Sequence, residues 1–577
     1  MMNRVFKSGF IAAFLLCLTL KPFNVLSQKV GDEINSIHGY FQVDAQYYNP
    51  DSLIGAPKVP EKMLSNAFGN INYQKGKFSA GLRYEAYNNV MQGFDQRYKG
   101  QGIVNRFARY QDNLLDITIG NIYEQFGSGL IFRTYYEPGL LYDNSLDGVR
   151  VISNPYKGLT FKGLVGKQRS FFTIGPGIVR GFDGELNVNE ALDSLAKNIK
   201  TKLILGGSFV SKFQPDQDPD FVLPENVGAY GGRINIINES FNLFGEYIIK
   251  ENDPSAANRS TANGKTYYSY KQGDALFFSG SYATKGFSLL FQAKRIDNMS
   301  FRSDRDASLQ NLLINYLPAT TKQHSYLMPA YSPYATQPNG EMGFLSEIQY
   351  KFKKGTFLGG KYGMDVTLNY SHASGLKQFG VDDSTTSLEL YKTKYITYEN
   401  NVLSIHEGED YYHDFFIEVN KKFTKAVKGT FMYAHQFYNK NVVQFGSPNA
   451  GYKNIISHIG VADITWKYKS GSALRFETQA LLRNNSDTLN LGSWATGMIE
   501  WTPNSHIFVA VLDQYNYGNP VESLKLHYFL ATAGYTSGPH RIMVSYGKQR
   551  AGIFCVGGVC RNVPASNGFA LSITSSF

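Results

Sequence analysis

The chain has 577 residues, 15% of them aromatic (41 Phe, 40 Tyr and 3 Trp), yet its mean hydropathy is negative. Such an aromatic content excludes a disordered polymer, and past residue 20 no apolar run approaches the roughly 18 residues of a spanning helix, which excludes a helical membrane protein. The formal charge of +10 is spread without a block of one sign, so composition points to neither a nucleic-acid partner nor an acidic tail.

Residues 1–27 read as a cleaved secretory signal. Arg4 and Lys7 precede an apolar run from Gly9 to Leu20, and Val25 and Ser27 suit small-residue cleavage before Gln28. Cys17 lies inside the apolar run behind Leu16, which argues against a lipoprotein. Losing Arg4, Lys7 and Lys21 takes the formal charge from +10 to +7. A first strand is expected near Ile37 to Tyr48, so soon after the cleavage point that no N-terminal plug domain is expected.

From residue 36 to 577 the chain repeats one pattern: alternating residues, a short turn, more alternating residues, then a longer polar stretch. That is the signature of antiparallel hairpins. Phe78 to Tyr87 sets Phe78, Ala80, Leu82, Tyr84 and Ala86 against Ser79, Gly81, Arg83, Glu85 and Tyr87. The same split recurs at Phe241 to Lys250, Phe287 to Lys294, Met364 to Ser371, Leu474 to Arg483, Arg541 to Gln549 and Gly568 to Phe577. Arg83, Glu85, Glu246, Lys250, Lys294, Asp365, Arg475, Glu477, Arg483 and Arg541 all fall on the second face. These strands are long enough to cross a bilayer, which takes about 9–11 residues, whereas soluble strands cluster near 5–6. The expected fold is therefore all-β: a single large antiparallel transmembrane barrel with lipid outside and the charged face in the lumen. Phe78, Phe241 and Phe287 just after turns, with Tyr84, Tyr247, Tyr370 and Tyr546 on the same faces, suit headgroup depth and a cell outer membrane.

Short periplasmic turns are expected at Lys75 to Lys77, Asp112-Asn113, Asn154 to Gly158, Asn238 to Ser240, Lys285-Gly286, Lys353 to Gly360, Thr424 to Ala426, Lys469 to Ser472, Pro503 to His506 and Thr536 to Pro539. With the first and last strands they give about 22 strands, within a range of 18–24. The apolar stretch Lys202 to Lys212 is left without a partner. Long outside loops are expected at Ser170 to Thr201, Glu251 to Gly273, Asn298 to Gly340 and Ala373 to Asp410, and loops of that size are usually functional. The lumen charges mix both signs, which suits a hydrated or cross-linked interior rather than a single-sign selectivity ring.

Other motifs are weaker. Asp216, Asp218 and Asp220, with Glu225 beyond, alternate hard oxygen ligands but lack the Gly and Glu of a calcium loop, so a solvated acidic loop is the better reading. Gly355 to Lys361 has phosphate-loop spacing, but Tyr362 stands where Ser or Thr should be and no helix is expected to follow. No HExxH, Gly-x-Ser-x-Gly or closely spaced His pair occurs, so no enzyme, cofactor or catalytic residue is indicated. Asp51-Ser52-Leu53, Asp193-Ser194-Leu195, Asp383-Ser384-Thr385 and Asp487-Thr488-Leu489 resemble an O-glycosylation acceptor pattern. Cys555 and Cys560, an even pair in an exported chain, are expected to form a disulfide across a tight loop.

The phrases Gly120 to Tyr135, Asp143 to Val151, Gly166 to Arg169 and Cys555 to Phe577 resemble a family of Bacteroidota outer-membrane barrels of unknown function. The resemblance runs through the mature chain and implies location and fold, with no assigned activity. The last strand, with Phe569, Leu571, Ile573 and terminal Phe577 on one face, resembles the signal by which barrel-assembly machinery recognises clients. Two roles are expected of such a barrel. One is a porin, channel or export pore passing hydrophilic solute or polymer. The other is a loop-closed barrel serving as an accessory or scaffold subunit of an outer-membrane complex, meeting outer-membrane protein partners through its long loops.

Overall fold

The structure is a computed structural model that describes residues 35–193, 199–219, 222–262, 265–268, 272–376, 378–379, 394–395, 408–446, 450–484, 492–556 and 559–577. Only the backbone is described at residue 35 and at 258–262, 265–268, 378–379, 394–395, 553–556 and 559–562.

Twenty-four strands form one closed antiparallel sheet. They are β1 (Asn35–Tyr48), β2 (Met63–Lys75), β3 (Phe78–Asn89), β4 (Gly100–Gln111), β5 (Leu115–Ile122), β6 (Leu146–Tyr156), β7 (Leu159–Ser170), β8 (Thr173–Asn187), β9 (Lys202–Phe213), β10 (Asn226–Ile237), β11 (Phe241–Lys250) and β12 (Gly273–Thr284). There follow β13 (Phe287–Asp297), β14 (Glu341–Phe352), β15 (Met364–Ser374), β16 (Asp410–Lys422), β17 (Val427–Tyr438), β18 (Ile455–Lys469), β19 (Ser472–Arg483), β20 (Trp494–Thr502), β21 (Ile507–Tyr515), β22 (His527–Ser537), β23 (His540–Gln549) and β24 (Ser566–Ser576). Each pairs with its neighbour in chain order, and β24 closes on β1 with Phe569 opposite Tyr47, Leu571 opposite Ala45 and Ile573 opposite Val43. Beyond the strand, Phe577 and Gly39 exchange backbone hydrogen bonds of 2.9 and 3.0 Å. Closure leaves no sheet edge, so the backbone polar groups of the wall are satisfied without water.

Alternation sorts the two faces. Phe41, Ile71, Phe182, Phe209, Tyr247, Phe291, Phe476 and Val544 are exposed on the outside. Aromatic rings gather at the short-turn end: Phe78 packs on Tyr110 with centroids 5.0 Å apart, and Trp501 donates to the Tyr468 hydroxyl at 3.0 Å. A closed barrel with an apolar outer wall and an aromatic rim is built for the outer membrane, where the protein resides. Fully exposing this wall to water would forfeit about 25 cal/mol for each Å² of apolar surface.

All ten expected turns join successive strands, but the count is 24 rather than about 22. The two additional strands are β8 and β9. β8 pairs with β7 on one side and β9 on the other, and β9 pairs in turn with β10, so Lys202 to Lys212 has two partners. The expected outside loop from Ser170 to Thr201 instead crosses the membrane as β8, which ends on the short-turn side at the single helical turn Val188–Ala191. Pro176 and several glycines disguise the alternation of β8. Two of those glycines face inward at close approaches: a Cβ on Gly177 would lie 1.9 Å from the Ser303 carbonyl oxygen, and one on Gly181 would lie 2.9 Å from the Phe126 ring. The strand is stripped of side chains there because the lumen is already full.

Candidate functional site

Two chain segments enter the lumen from the long-loop side: residues 123–145, between β5 and β6, and residues 298–340, between β13 and β14. Phe126, Leu130, Ile131 and Phe132 of the first and Phe301 and Ile314 of the second are fully buried against inward wall residues Leu164, Val179, Val210, Ile248 and Phe277. The segments also bind each other. The Arg133 amide donates to the Ile314 carbonyl at 2.9 Å, the Tyr316 amide to Gly129 at 2.9 Å, and the Asn144 side chain to the Leu313 carbonyl at 3.0 Å.

Their depth is set by ion pairs. Glu124 meets Lys162 at 3.0 Å, and Lys162 is only the fourth residue of β7 from the short-turn side. Arg150 bridges Glu124 and Asp116 at 3.0 and 2.9 Å. Nearer the outside, Arg169 joins Glu85 (2.7 Å) to Asp143 (2.8 Å), and Arg83 holds the same two carboxylates, Glu85 at 2.8 Å. Two guanidiniums and two carboxylates make a neutral buried quartet, completed by the Tyr87 hydroxyl on Glu85 (2.9 Å) and the Tyr123 hydroxyl on Asp143 (3.0 Å). Burial opposes ionisation of Asp143, but the Arg169 and Arg83 guanidiniums outweigh it and hold the carboxyl below its ordinary range. Such groups add little net stability but specify one arrangement, because removing a single partner strands a buried charge.

The second segment then crosses to the opposite wall. Lys322 pairs with Glu347 (2.6 Å) and His324 with Asp414 (2.5 Å); the Tyr326 hydroxyl reaches Asp463 at 3.2 Å. The Met328 amide donates to Gln479 (2.8 Å), the Gln436 amide to the Pro329 carbonyl (2.9 Å), and the Tyr331 hydroxyl to Gln514 (2.5 Å). Met328 is buried among inward Phe416, Met432, Ile459, Val461 and Leu481. The wall is apolar there because this segment, not water, covers it. Closer to the short turns the inward face is polar, with Asn70, Asn72, Glu418, Asn420 and Thr430 half-exposed and Gln349 exposed.

The lumen charges read from the sequence fall into two groups. Arg83, Glu85, Glu246, Lys250, Lys294 and Arg483 grip the inserted segments. Glu246 accepts from the Ser128 amide (2.9 Å), Lys250 donates to the Ser300 carbonyl (3.1 Å), Lys294 to the Pro318 carbonyl (2.7 Å) and Arg483 to the Ser332 hydroxyl (3.2 Å). Asp365, Arg475, Glu477 and Arg541 serve the wall. Asp365 pairs with Lys351 (3.3 Å), Arg475 with Asp463 (3.0 Å) and with Glu477, and Arg541 stacks over Phe508 (5.4 Å). Glu477 also accepts from Gln479, orienting it for Met328. Arg169, Asp143 and Glu341 were not picked out by strand pattern. The signal available was the set of apolar residues, such as Leu481, on the nominally polar face.

Asp216 accepts from the Leu223 and Asp218 amides at 2.9 and 3.1 Å, which holds its carboxyl below the ordinary range. Asp220, the leader at 1–27 and three of the four acceptor triplets lie at least partly outside the described residues. Backbone register sets Cys555 directly opposite Cys560 in the hairpin of residues 552–556 and 559–563.

Several solved structures share the barrel architecture. The translocation pore of the P pilus usher PapC is 9% identical, with TM-score 0.41, covering 94% of this chain and 99% of that one. The siderophore receptor PirA from Pseudomonas aeruginosa is 9% identical, with TM-score 0.39, covering 94% and 81%. The outer-membrane protein OpdK from Pseudomonas aeruginosa is 10% identical, with TM-score 0.32, covering 81% and 98%. At these TM-scores the likenesses carry no functional argument. No curated protein matches the chain. A family model described as a family of unknown function, DUF6029, matches residues 6–577.

Proposed function

The chain belongs to the DUF6029 family, and from its own geometry we propose that it is a gated outer-membrane pore. At rest, residues 123–145 and 298–340 close the lumen, and hydrophilic solute or polymer passes when the second segment yields. The observation that carries this reading is the asymmetry of the two walls. On the β3 to β13 side the inserted chain is fixed by an apolar core and the neutral quartet. From Lys322 to Ser332 it is held by separate ion pairs or hydrogen bonds to inward wall groups, at Lys322, His324, Tyr326, Met328, Pro329, Tyr331 and Ser332, beside an apolar patch around Met328. The polar vestibule on the short-turn side gives hydrophilic cargo a path to this closure. No enzymatic step is part of the proposal. The Bacteroidota origin, the cleaved leader and recognition of the last strand by assembly machinery are part of it, resting on the quoted phrases and on residues 1–27.

The second reading is a permanently closed accessory subunit. The extent of the Met328 cluster favours it. Liposome swelling with sugars of graded size separates the two: the pore reading expects uptake that rises under mild chaotrope and reverses on its removal. A barrel silent throughout, co-purifying with stoichiometric partners, contradicts the pore.

A further inference from the structure

The ends of β15 and β16 on the long-loop side bring three metal-ligating side chains together. His372 of β15 stands directly opposite His413 of β16, with ring centroids 4.5 Å apart and the rings edge to face. By alternation both lie on the outer face of the barrel, opposite to inward Ser371 and Asp414. Asp410 lies three residues before His413, and in a regular strand it would point the other way. A β-bulge prevents that. Ala373 pairs with Tyr412 but Ser374 pairs with Asp410, so Tyr411 is an extra residue and Asp410 is returned to the face of the two histidines.

Asp410 then lies 3.3 Å from His372 Nε2 and 3.5 Å from His413 Nε2, one carboxylate oxygen toward each, and all three ligand atoms fall within 4.8 Å of one another. The rings are held in place by neighbours: Phe344 packs on His372 at 5.6 Å and Phe437 on His413 at 5.2 Å. The Asp410 and His413 side chains are 30% and 28% exposed, with the His413 Nε2 atom itself turned into the protein. We propose that His372, His413 and Asp410 form a binding site for a divalent first-row transition-metal ion of the zinc class. Two imidazole nitrogens favour such an ion over calcium or magnesium, which take oxygen ligands. Three protein ligands leave a fourth position of a tetrahedral ion for water or an outside donor. Two neutral imidazoles and one carboxylate carry a single negative charge, so a bound divalent ion keeps one net positive charge for an outside donor at its fourth position. His372 precedes residues 375–409 and Asp410 follows them, so the bound ion pins the root of that connection.

The test is titration of EDTA-treated, detergent-solubilised full-length barrel with ZnCl2 by calorimetry and with CoCl2 by visible absorption. One equivalent should bind. His372→Ala, His413→Ala and Asp410→Asn should each abolish saturable binding in barrels that keep the normal heat-dependent gel shift, while the neighbouring variant His458→Ala should bind as the wild type does. Absent saturable binding, or binding unchanged in the three variants, overturns the site. X-ray absorption at the zinc edge of the wild type is independent of variant folding: two imidazole nitrogens support the assignment, and an all-oxygen shell overturns it.

Discussion

Lys294 and Glu341 face each other at 2.7 Å with both side chains 0% exposed, on adjacent strands that lead into and out of the segment 298–340. Lys294 also donates to the Pro318 carbonyl and the Thr336 hydroxyl, each at 2.7 Å, while Glu341 accepts from the Tyr334 hydroxyl (2.5 Å) and the Gln337 amide (2.6 Å). One buried ion pair thus ties together the root, middle and end of the inserted chain. Glu341→Gln leaves the Lys294 ammonium without its counter-charge and should destabilise the assembled barrel by about 3–5 kcal/mol. The double change Lys294→Met, Glu341→Leu should recover most of that loss. Urea titration read by heat-dependent gel mobility checks both, and a single variant as stable as wild type would remove the pair from the account.

The quartet sets a pH dependence. The Asp143 carboxyl is held below its ordinary value in the folded protein, so its contribution is fully present above the unfolded value of about 4 and is lost as pH falls through the lower folded value. Conductance and protease resistance should therefore stay constant from pH 8 to pH 5 and change only below about pH 4. Asp143→Asn should show the acid-state behaviour already at pH 7. A transition between pH 7 and pH 5 would point to histidines instead.

Gly177 reports on whether residues 298–340 truly occupy the lumen. Its added Cβ would meet the Ser303 carbonyl oxygen at 1.9 Å, whereas a Cβ on Gly163 of β7 meets nothing within 4 Å. Gly177→Ala should cost about 1–3 kcal/mol by overpacking and Gly163→Ala close to nothing. Equal stabilities, measured by the same urea titration, would place the segment elsewhere.

The hairpin register opposes Cys555 and Cys560. Non-reducing peptide mass spectrometry of exported protein should recover them as one linked peptide pair, closing a loop that contributes on the order of 2 kcal/mol. Free thiols at both positions would refute the bond.

Most of the wall was legible because a two-residue period and a lipid face constrain every second residue: Phe78 to Tyr87 and Leu474 to Arg483 could be assigned residue by residue. β8 was not, since Gly177 and Gly181 answer to Ser303 and Phe126, contacts made only in the folded lumen. The inward charges could be found but not their partners. Arg83 shows on its strand pattern, whereas Asp143 sits in a segment without period, and the two meet only when the barrel closes. Leu481 and Met432 are apolar residues on the inward face. They are the floor on which Met328 rests.

The most direct test of the closure is planar-bilayer conductance of wild-type barrel beside a variant in which residues 319–337 are replaced by a short Gly/Ser linker, both verified as folded by gel shift. The account predicts small or intermittent currents for the wild type and a large steady conductance for the variant. A variant as silent as the wild type, or a wild type with a steady open current, would contradict it.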